Sequence, residues 1–311
     1  MKIIVTGSDG FVGKYLVLLL KKGKDKVYPL DLKQADITKL SEVKKYLEKI
    51  KPDQVYHLAG FASGAGKDKD LIFKVNVEGT LNIIKALREI DKPCRVLLAS
   101  TAYVYGNTAP RCAKENSSTA PGSFYDQSKL KMEQEALKYS SSEPAGESRS
   151  PEDNSSRQAR TINNIEILIS RATNHTGPGQ KLGFAVPDFC SKIAAAKNGD
   201  TISTGNLDVK RDLFDVRDCV RAYKIIMQKG KSGETYNIGT GRSVTMNLVL
   251  KKIIAISKKK IVTIADPGRV RPSDIAKSCV SCSKIKKLGW QPKISLEKTL
   301  RDTYYSFDGR K

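Results

Sequence analysis

A tyrosine and a lysine one helical turn apart are the residues of this sequence best suited to move a proton. Of the 12 tyrosines, only Tyr125 is followed four residues later by a lysine, Lys129. Residues at positions i and i+4 lie on the same face of a helix, and a nearby ammonium is expected to lower the pKa of the phenol towards neutrality. Such a phenol can act as a general acid or base. Ser100 or Thr101, at the end of a predicted strand, can hydrogen-bond the oxygen of a substrate.

Three glycines near the amino terminus predict a dinucleotide-binding loop. Gly7, Gly10 and Gly13 follow the first predicted strand and open the first predicted helix. The first glycine permits a tight turn, the second a close approach of backbone to pyrophosphate, and the third close packing of helix on strand. The N–H groups of the helix N-terminus favour phosphate there. The P-loop motif is excluded because Lys14 is followed by Tyr15 rather than by serine or threonine.

Two acidic residues are candidates for selecting the cofactor. Asp31 ends the second predicted strand, 18 residues after Gly13, where a carboxylate can bind the adenosine ribose diol and disfavour a 2′-phosphate. Lys33 can weaken that preference. Asp36, followed by Ile37, can reach the adenine amino group or instead cap the following helix. The choice between NADH and NADPH therefore stays open.

The elements that must position these residues alternate between strand and helix. Predicted strands cover residues 2–6, 26–31, 54–59, 95–100 and 165–170, and predicted helices cover residues 11–22, 37–51, 70–90 and 124–139. This alternation favours an α/β fold with a Rossmann-like, doubly wound parallel sheet over residues 1–171. Residues 172–311 mix short helices and strands, which predicts a smaller α/β cap that binds substrate and returns some segments to the main sheet. The polar stretch 140–164 is expected to be a mobile insertion.

The chain is strongly basic, with 55 lysines and arginines against 33 acidic residues and a net charge of +22. A positive field attracts anionic substrates, and it also suits a Rossmann-type protein that binds nucleotide or RNA without catalysis. The lysines are spread along predicted helix surfaces, without a cluster that is interleaved with aromatic residues. The charge therefore favours an anionic ligand more than nucleic acid.

The cysteines and the amino terminus bear on the compartment. No signal-peptide core or membrane-spanning stretch is recognisable, so we expect a cytoplasmic protein. The six cysteines are then expected to be reduced thiols. Cys279 and Cys282 form a lone CxxC without further ligands nearby in sequence, so no metal site is predicted.

Several motifs occur in the order seen in the extended short-chain dehydrogenases/reductases, and the resemblance covers nearly the whole chain apart from 140–164. In the first half these motifs are the glycine loop, Tyr56 to Gly60, Asn76 to Thr80, Ser100 to Gly106, and Tyr125 with Lys129. The second half resembles the GDP-mannose branch, in Arg171 to Gln180, Gly205 to Asp212, Asp215 to Asp218 and Arg271 to Asp274. That branch contains the GDP-mannose 4,6-dehydratases and the GDP-4-keto-6-deoxymannose reductases.

The resemblance implies a role for each matching residue. It places Thr101, Tyr125 and Lys129 at the catalytic positions, where hydride from NADPH or NADH reduces a C4 keto group and Tyr125 protonates its oxygen. The cofactor-binding residues would be Gly7, Asp9, Gly10, Phe11, Val12, Gly13, Asp31, Asp36, Ile37, Leu58, Ala59, Gly60, Asn76 and Lys129. The residues that bind substrate would be Ser100, Asn174, Arg211 and Arg271. His175 is expected to be an ordinary core or loop histidine.

One position distinguishes the two activities of the branch. The dehydratases carry a glutamate two residues after the catalytic threonine, because elimination of water needs an additional acid or base. Here that position is Tyr103, which does not ionise usefully at neutral pH. The sequence therefore resembles the reductases, whose product would be GDP-D-rhamnose or GDP-6-deoxy-D-talose. A nucleotide-sugar 4-epimerase with tightly bound NAD shares every catalytic residue and stays an alternative, followed by the dehydratase. Helices at 70–90 and 124–139 can pair in a homodimer, as they do in relatives.

Overall fold

The computed structural model describes residues 1–62, 68–90, 92–108, 111–140, 165–266, 268 and 275–309. These residues belong to two compact units. The first unit comprises residues 1–104, 123–171 and 223–236, and the second comprises residues 105–122, 172–222 and 237–311. Apart from Ser140, the insertion predicted at 140–164 lies outside the described residues, and so does Arg271.

A six-stranded sheet forms the centre of the first unit. Its strands are β1 (Lys2–Thr6), β2 (Lys26–Leu30), β3 (Gln54–His57), β4 (Cys94–Thr101), β5 (Ile165–Ala172) and β10 (Thr235–Ile238). The strand order is β10-β5-β4-β3-β1-β2, and β2, β1, β3 and β4 pair in parallel. Parallel strands covered on both faces are apolar runs, and Ile3, Ile4 and Val5 of β1 are accordingly buried.

Helices α1 (Phe11–Leu20), α2 (Leu40–Ile50), α3 (Lys69–Phe73), α4 (Gly79–Arg88) and α5 (Phe124–Leu137) connect these strands. The apolar spacing of α2 buries Val43, Leu47 and Ile50, and α2 packs against α4. The helix predicted at 70–90 is instead composite, because a π-helical turn at Lys74–Glu78 separates α3 from α4. Such turns are frequent at functional sites.

The second unit contains short strands and helices. Its strands are β6 (Asn174–Thr176), β7 (Thr201–Thr204), β8 (Lys210–Arg211), β9 (Leu213–Asp215), β11 (Val244–Thr245), β12 (Val262–Ala265) and β13 (Lys277–Ser278). Its helices are α6 (Ala185–Ala195), α8 (Met246–Ser257), α9 (Ser283–Lys287) and α10 (Leu296–Asp308), while α7 (Val216–Lys229) contributes to both units. Helices α6, α8 and α10 pack together around a second apolar core.

The cysteine prediction is wrong for one pair. Cys112 and Cys279 form a disulfide across 167 residues of sequence, next to a β-bridge between Ala113 and Val280. Folding brings these residues together, so sequence spacing did not reveal the pair. Because Cys279 is bonded to Cys112, its CxxC partner Cys282 remains a buried free thiol.

The α/β prediction with a Rossmann-like parallel sheet is confirmed. Most predicted elements of the first unit agree with the structure within a few residues, whereas α9, α10 and the two- and three-residue strands of the second unit were not predicted. Within the described residues, every helix is too short or too polar to cross a bilayer.

Candidate active site

The helix that carries the predicted catalytic pair begins with a capping box. The Ser123 hydroxyl accepts the Asp126 N–H at 3.2 Å, and the Asp126 carboxylate accepts the Ser123 N–H at 3.1 Å. This reciprocal pair satisfies N–H groups that a helix start leaves without partners. A third contact holds the first turn, because Ser128 donates to the carbonyl of Tyr125 at 2.7 Å. These hydrogen bonds therefore hold the backbone of Tyr125 in place at the start of α5.

The structure brings Thr101 and Tyr125 together. Thr101 is the last residue of β4 and is 5% exposed. Its side chain hydrogen-bonds the phenol of Tyr125, and its oxygen accepts the N–H of Tyr103 at 3.2 Å. Tyr103 lies in the short 3₁₀ turn that directly follows β4. A threonine that already accepts one N–H is oriented to donate its proton towards the phenol oxygen.

Lys129 lies one turn along α5 and is 6% exposed. Its ammonium donates to the carbonyl of Ala99 in β4 at 2.9 Å. Gly60, after β3, has φ of +146°, and a Cβ there would lie 3.5 Å from the Lys129 nitrogen and 2.6 Å from Asn76 Oδ1. Only a glycine leaves this space free, so the amine and the amide approach the backbone closely.

The predicted lowering of the Tyr125 pKa is wrong for the protein without cofactor. Burial raises the pKa of Tyr125 well above its usual value, the charge of Asp126 adds to the rise, and the hydrogen bond from Thr101 opposes it. Burial also lowers the pKa of Lys129 to about 8, against the opposing charge of Glu133. Desolvation disfavours the charged form of both groups. At neutral pH the phenol is therefore protonated.

A buried hydrogen-bonded chain supports the glycine loop. The N–H groups of Leu58 and Ala59 both donate to the Thr6 hydroxyl oxygen, at 3.1 and 2.9 Å. Thr6 can therefore give its own proton only to His57 Nδ1, which lies 2.8 Å away. His57 must then carry its proton on Nε2, where it donates to Thr80 at 2.9 Å. These contacts tie the ends of β1 and β3 to α4.

The same chain continues to the catalytic helix through Asn76 of the π-helical turn. Thr80 donates to the Asn76 carbonyl at 2.7 Å. The Asn76 amide accepts the N–H of Phe61 at 2.9 Å and donates to Ser128 at 2.9 Å. Ser128 in turn holds the Tyr125 carbonyl. In this structure Asn76 therefore links the loop after β3 to α5.

The glycine loop fits a dinucleotide. Gly7 has φ of +67°, and a Cβ on Gly13 would lie 2.1 Å from the Gly7 oxygen. Helix α1 has Gly10 at its N-cap, without a side-chain hydrogen bond to its first turn, so the helix N-terminus is left to an anion. Asp9 is exposed beside it. Phe11 and Val12 open α1, and the ring of Phe11 packs edge-on against Tyr15 at 5.8 Å.

The two acidic candidates have local partners. The Asp31 carboxylate accepts the Ser8 hydroxyl and the Asp9 N–H, so it fastens the glycine loop to the end of β2. Asp36 accepts both the N–H and the hydroxyl of Thr38, at 2.9 and 2.8 Å. The N-cap of α2 is Lys39, so the alternative that Asp36 caps this helix is wrong. Ile37 is buried against Gly79 at the start of α4.

The residues predicted to bind substrate have different partners within the protein. Ser100 donates its hydroxyl to Glu133, so that proton is not directed at a substrate. Arg211 is 8% exposed, and its Nη1 donates to the carbonyls of Ile275 and Lys210. Asn174 begins β6 and pairs with Leu213 of β9. Their roles in binding substrate stay predictions.

Two residues of the site were missed by sequence reasoning. Glu133 and Arg171 form a buried ion pair in which Arg171 Nη2 lies 2.6 Å from the carboxylate. Glu133 follows Lys129 by one helical turn, so this spacing could have identified it from the sequence.

His175 agrees with its assignment as an ordinary histidine, since it contacts the Thr173 carbonyl and the ring of Phe214.

Comparisons with known proteins identify the family of the chain. The family model for GDP-mannose 4,6 dehydratase matches residues 24–303. The GDP-6-deoxy-D-mannose reductase of Pseudomonas aeruginosa is 28% identical over 99% of this chain and 98% of that protein. The GDP-6-deoxy-D-talose 4-dehydrogenase of Aggregatibacter actinomycetemcomitans is 30% identical over 92% of this chain and 90% of that protein.

Solved structures show the same fold. RMD from Pseudomonas aeruginosa complexed with NADPH has a TM-score of 0.83 and 25% identity, with 99% of both chains covered. The UDP-glucose 4-epimerase of Thermus thermophilus in complex with NAD also has a TM-score of 0.83, with 24% identity and 99% of both chains covered. The resemblance drawn from the motifs is thereby confirmed. The chain belongs to the GDP-mannose 4,6 dehydratase family.

Proposed function

We propose that this protein is an NAD(P)H-dependent oxidoreductase that reduces the C4 keto group of GDP-4-keto-6-deoxy-D-mannose. The product is a GDP-6-deoxyhexose, either GDP-D-rhamnose or GDP-6-deoxy-D-talose. The names of the Pseudomonas and Aggregatibacter relatives support this substrate class. The observation that carries the proposal is the placement of the Tyr125 side chain beside Thr101 at the end of β4, with Lys129 buried one helical turn along α5.

The side chains of the site can perform the proton half of this reduction. When bound, NADPH or NADH supplies the hydride. Tyr125 gives its proton to the C4 oxygen as that oxygen gains negative charge. Thr101, whose single proton is directed at the phenol oxygen, stabilises the negative charge that develops on Tyr125. The phenolate left on Tyr125 is stabilised by the Lys129 cation one turn away on the same helix face.

The side chain at position 103 favours the reductase over the dehydratase. A dehydratase needs another acid or base after the catalytic threonine, and Tyr103 occupies that position. An epimerase shares Thr101, Tyr125 and Lys129. It is distinguished by its use of cofactor, because it converts its substrate without net consumption of NADPH.

Replacing one hydroxyl tests the proposal. Tyr125→Phe is expected to lower kcat for the keto sugar by about 10²–10⁴-fold, the usual worth of a general acid, while leaving NADPH binding measured by fluorescence unchanged. Tyr139→Phe is the matched control, since it removes a hydroxyl just after the end of α5. Near-normal turnover by Tyr125→Phe contradicts the proposal.

We also propose a homodimer formed through α3, α4 and α5. The support is that Leu71 of α3 and Phe124 of α5 are 43% and 50% exposed, although both are apolar. Leu71→Asp/Phe124→Asp is expected to yield monomers in light scattering, and an unchanged mass contradicts this interface. We propose a cytoplasmic location for the protein. The Cys112–Cys279 disulfide is the observation against it, because disulfides are rare in cytosolic proteins.

A further inference from the structure

A buried carboxylate lies behind the catalytic residues and is not used by the mechanism above. Glu133 of α5 is 2% exposed. Arg171, the penultimate residue of β5, grips it through Nε at 3.1 Å from both carboxylate oxygens and through Nη2 at 2.6 Å from one. A buried ion pair is costly unless its geometry is excellent, and here the guanidinium fork meets the carboxylate with two nitrogens.

Glu133 also contacts the strand that carries the catalytic threonine. The Ser100 hydroxyl donates to Glu133 Oε1, and Ser100 directly precedes Thr101 in β4. The carboxylate thus joins the carboxyl ends of two sheet strands, β4 and β5, to the helix of Tyr125. Three elements that must keep a fixed geometry for proton transfer meet at one side chain.

The same side chain is one helical turn from Lys129, so their Cβ atoms lie about 5–6 Å apart. The Glu133 charge raises the pKa of Lys129 against the effect of burial. Among the described residues, His57 of β3 also interacts electrostatically with Lys129, and Tyr125 and Asp126 lie four and three residues before it on α5. His57 is neutral, because burial lowers its pKa to about 3, and the phenol is protonated at neutral pH. Glu133 therefore supplies the negative charge that favours the ammonium.

We propose that Glu133, fixed by Arg171, is a positioning residue that aligns the end of β4 and keeps Lys129 charged. The inference rests on the proposed reduction, in which a charged Lys129 stabilises the phenolate of Tyr125. It differs from a purely structural role because it predicts a change in the titration of a different residue.

The test compares pH profiles of kcat/KM for reduction of the keto sugar. Glu133→Gln is expected to move the basic limb to lower pH by about one unit or more, the usual effect of losing an opposite charge at this distance. Because Glu133→Gln removes the carboxylate that neutralises the buried Arg171, the neutral pair Glu133→Gln/Arg171→Met is measured as well. The double variant removes the Glu133 charge without leaving the Arg171 charge in its place, so it is expected to shift the limb in the same direction.

Glu135→Gln is the matched control. Glu135 lies on the same helix but pairs with Lys131 and Lys138 at the surface, so its loss is expected to leave the limb in place. Unshifted limbs in both Glu133 variants overturn the proposal, and so does an equal shift in the control.

A second readout needs no turnover. NMR titration of the Lys129 Cε signal, assigned with Lys129→Arg, is expected to show a pKa lower by about one unit in the Glu133 variants of the cofactor-free protein. An unchanged Lys129 pKa overturns the inference. Lack of turnover by the unmodified enzyme contradicts the proposed function alone, and the NMR titration still decides the role of Glu133.

Discussion

Replacing the buried lysine by methionine is expected to stabilise the cofactor-free protein at neutral pH. Lys129 is 6% exposed, and burial lowers its pKa from 10.5 to about 8. Each pKa unit corresponds to about 1.4 kcal/mol, so holding the ammonium in place costs about 3 kcal/mol at pH 7. Methionine has nearly the same length and removes this cost. It leaves the Ala99 carbonyl without the lysine donor, a loss of about 1 kcal/mol. The net gain in the free energy of unfolding is about 2 kcal/mol.

The sign of this effect depends on pH. Between pH 8 and 10.5 the unfolded chain keeps the proton on Lys129 that the folded chain has lost, so the stability of the unmodified protein rises with pH. The advantage of Lys129→Met is therefore full below about pH 8 and is lost by pH 10.5. Above that pH only the missing hydrogen bond remains, and the variant is expected to be less stable by about 1 kcal/mol.

Urea unfolding of the cofactor-free protein at pH 7 and pH 10.5 measures both effects. Lys131→Met is the control, because Lys131 lies on the same helix with its side chain 52% exposed and pairs with Glu135; its replacement is expected to change stability by no more than about 0.5 kcal/mol. A Lys129→Met protein that is less stable than the unmodified one at pH 7 refutes the reasoning, because burial would then not be the dominant influence on this amine.

Three further outcomes follow from the structure. Gly13→Ala places a Cβ 2.1 Å from the Gly7 oxygen and is expected to abolish NADPH binding, whereas Gly122→Ala, with nothing within 4 Å of its Cβ, is expected to leave binding unchanged in the same titration. Thiol titration in denaturant is expected to count four cysteines before reduction and six after it; six before reduction contradicts the disulfide. His57 stays neutral when folded, with its pKa lowered from 6.5 to about 3, so stability is lost as pH falls below about 6.5. At pH 4.5 this loss is about 2–3 kcal/mol, and a His57→Gln protein with the same loss between pH 7 and 4.5 argues against the assignment.

The sequence predicted local features of the site well. Spacing alone put Tyr125 and Lys129 on one helix face, and the glycine pattern placed the tight loop between β1 and α1. Both depend on backbone geometry within a few residues, which sequence reports directly. The alternation of apolar runs likewise predicted the order of the strands and helices in the first unit.

Features that depend on distant residues were predicted poorly. The pKa of Tyr125 is raised rather than lowered as expected, because burial by other elements outweighs the effect of a neighbouring charge. The partner of Glu133 comes from β5, and the partner of Cys112 is 167 residues away. Asp36 forms a local turn with Thr38 rather than a helix cap, a choice between two short-range contacts that composition does not decide.

The most direct test of the proposed reduction follows the hydride into the product. The protein is incubated with GDP-4-keto-6-deoxy-D-mannose and NADPH that carries deuterium at the transferable position, and the product is examined by NMR. We expect a GDP-6-deoxyhexose with deuterium at C4, with the sugar coupling constants showing whether it is the rhamnose or the talose form. An unlabelled C4, or conversion of the sugar without consumption of NADPH, contradicts the account.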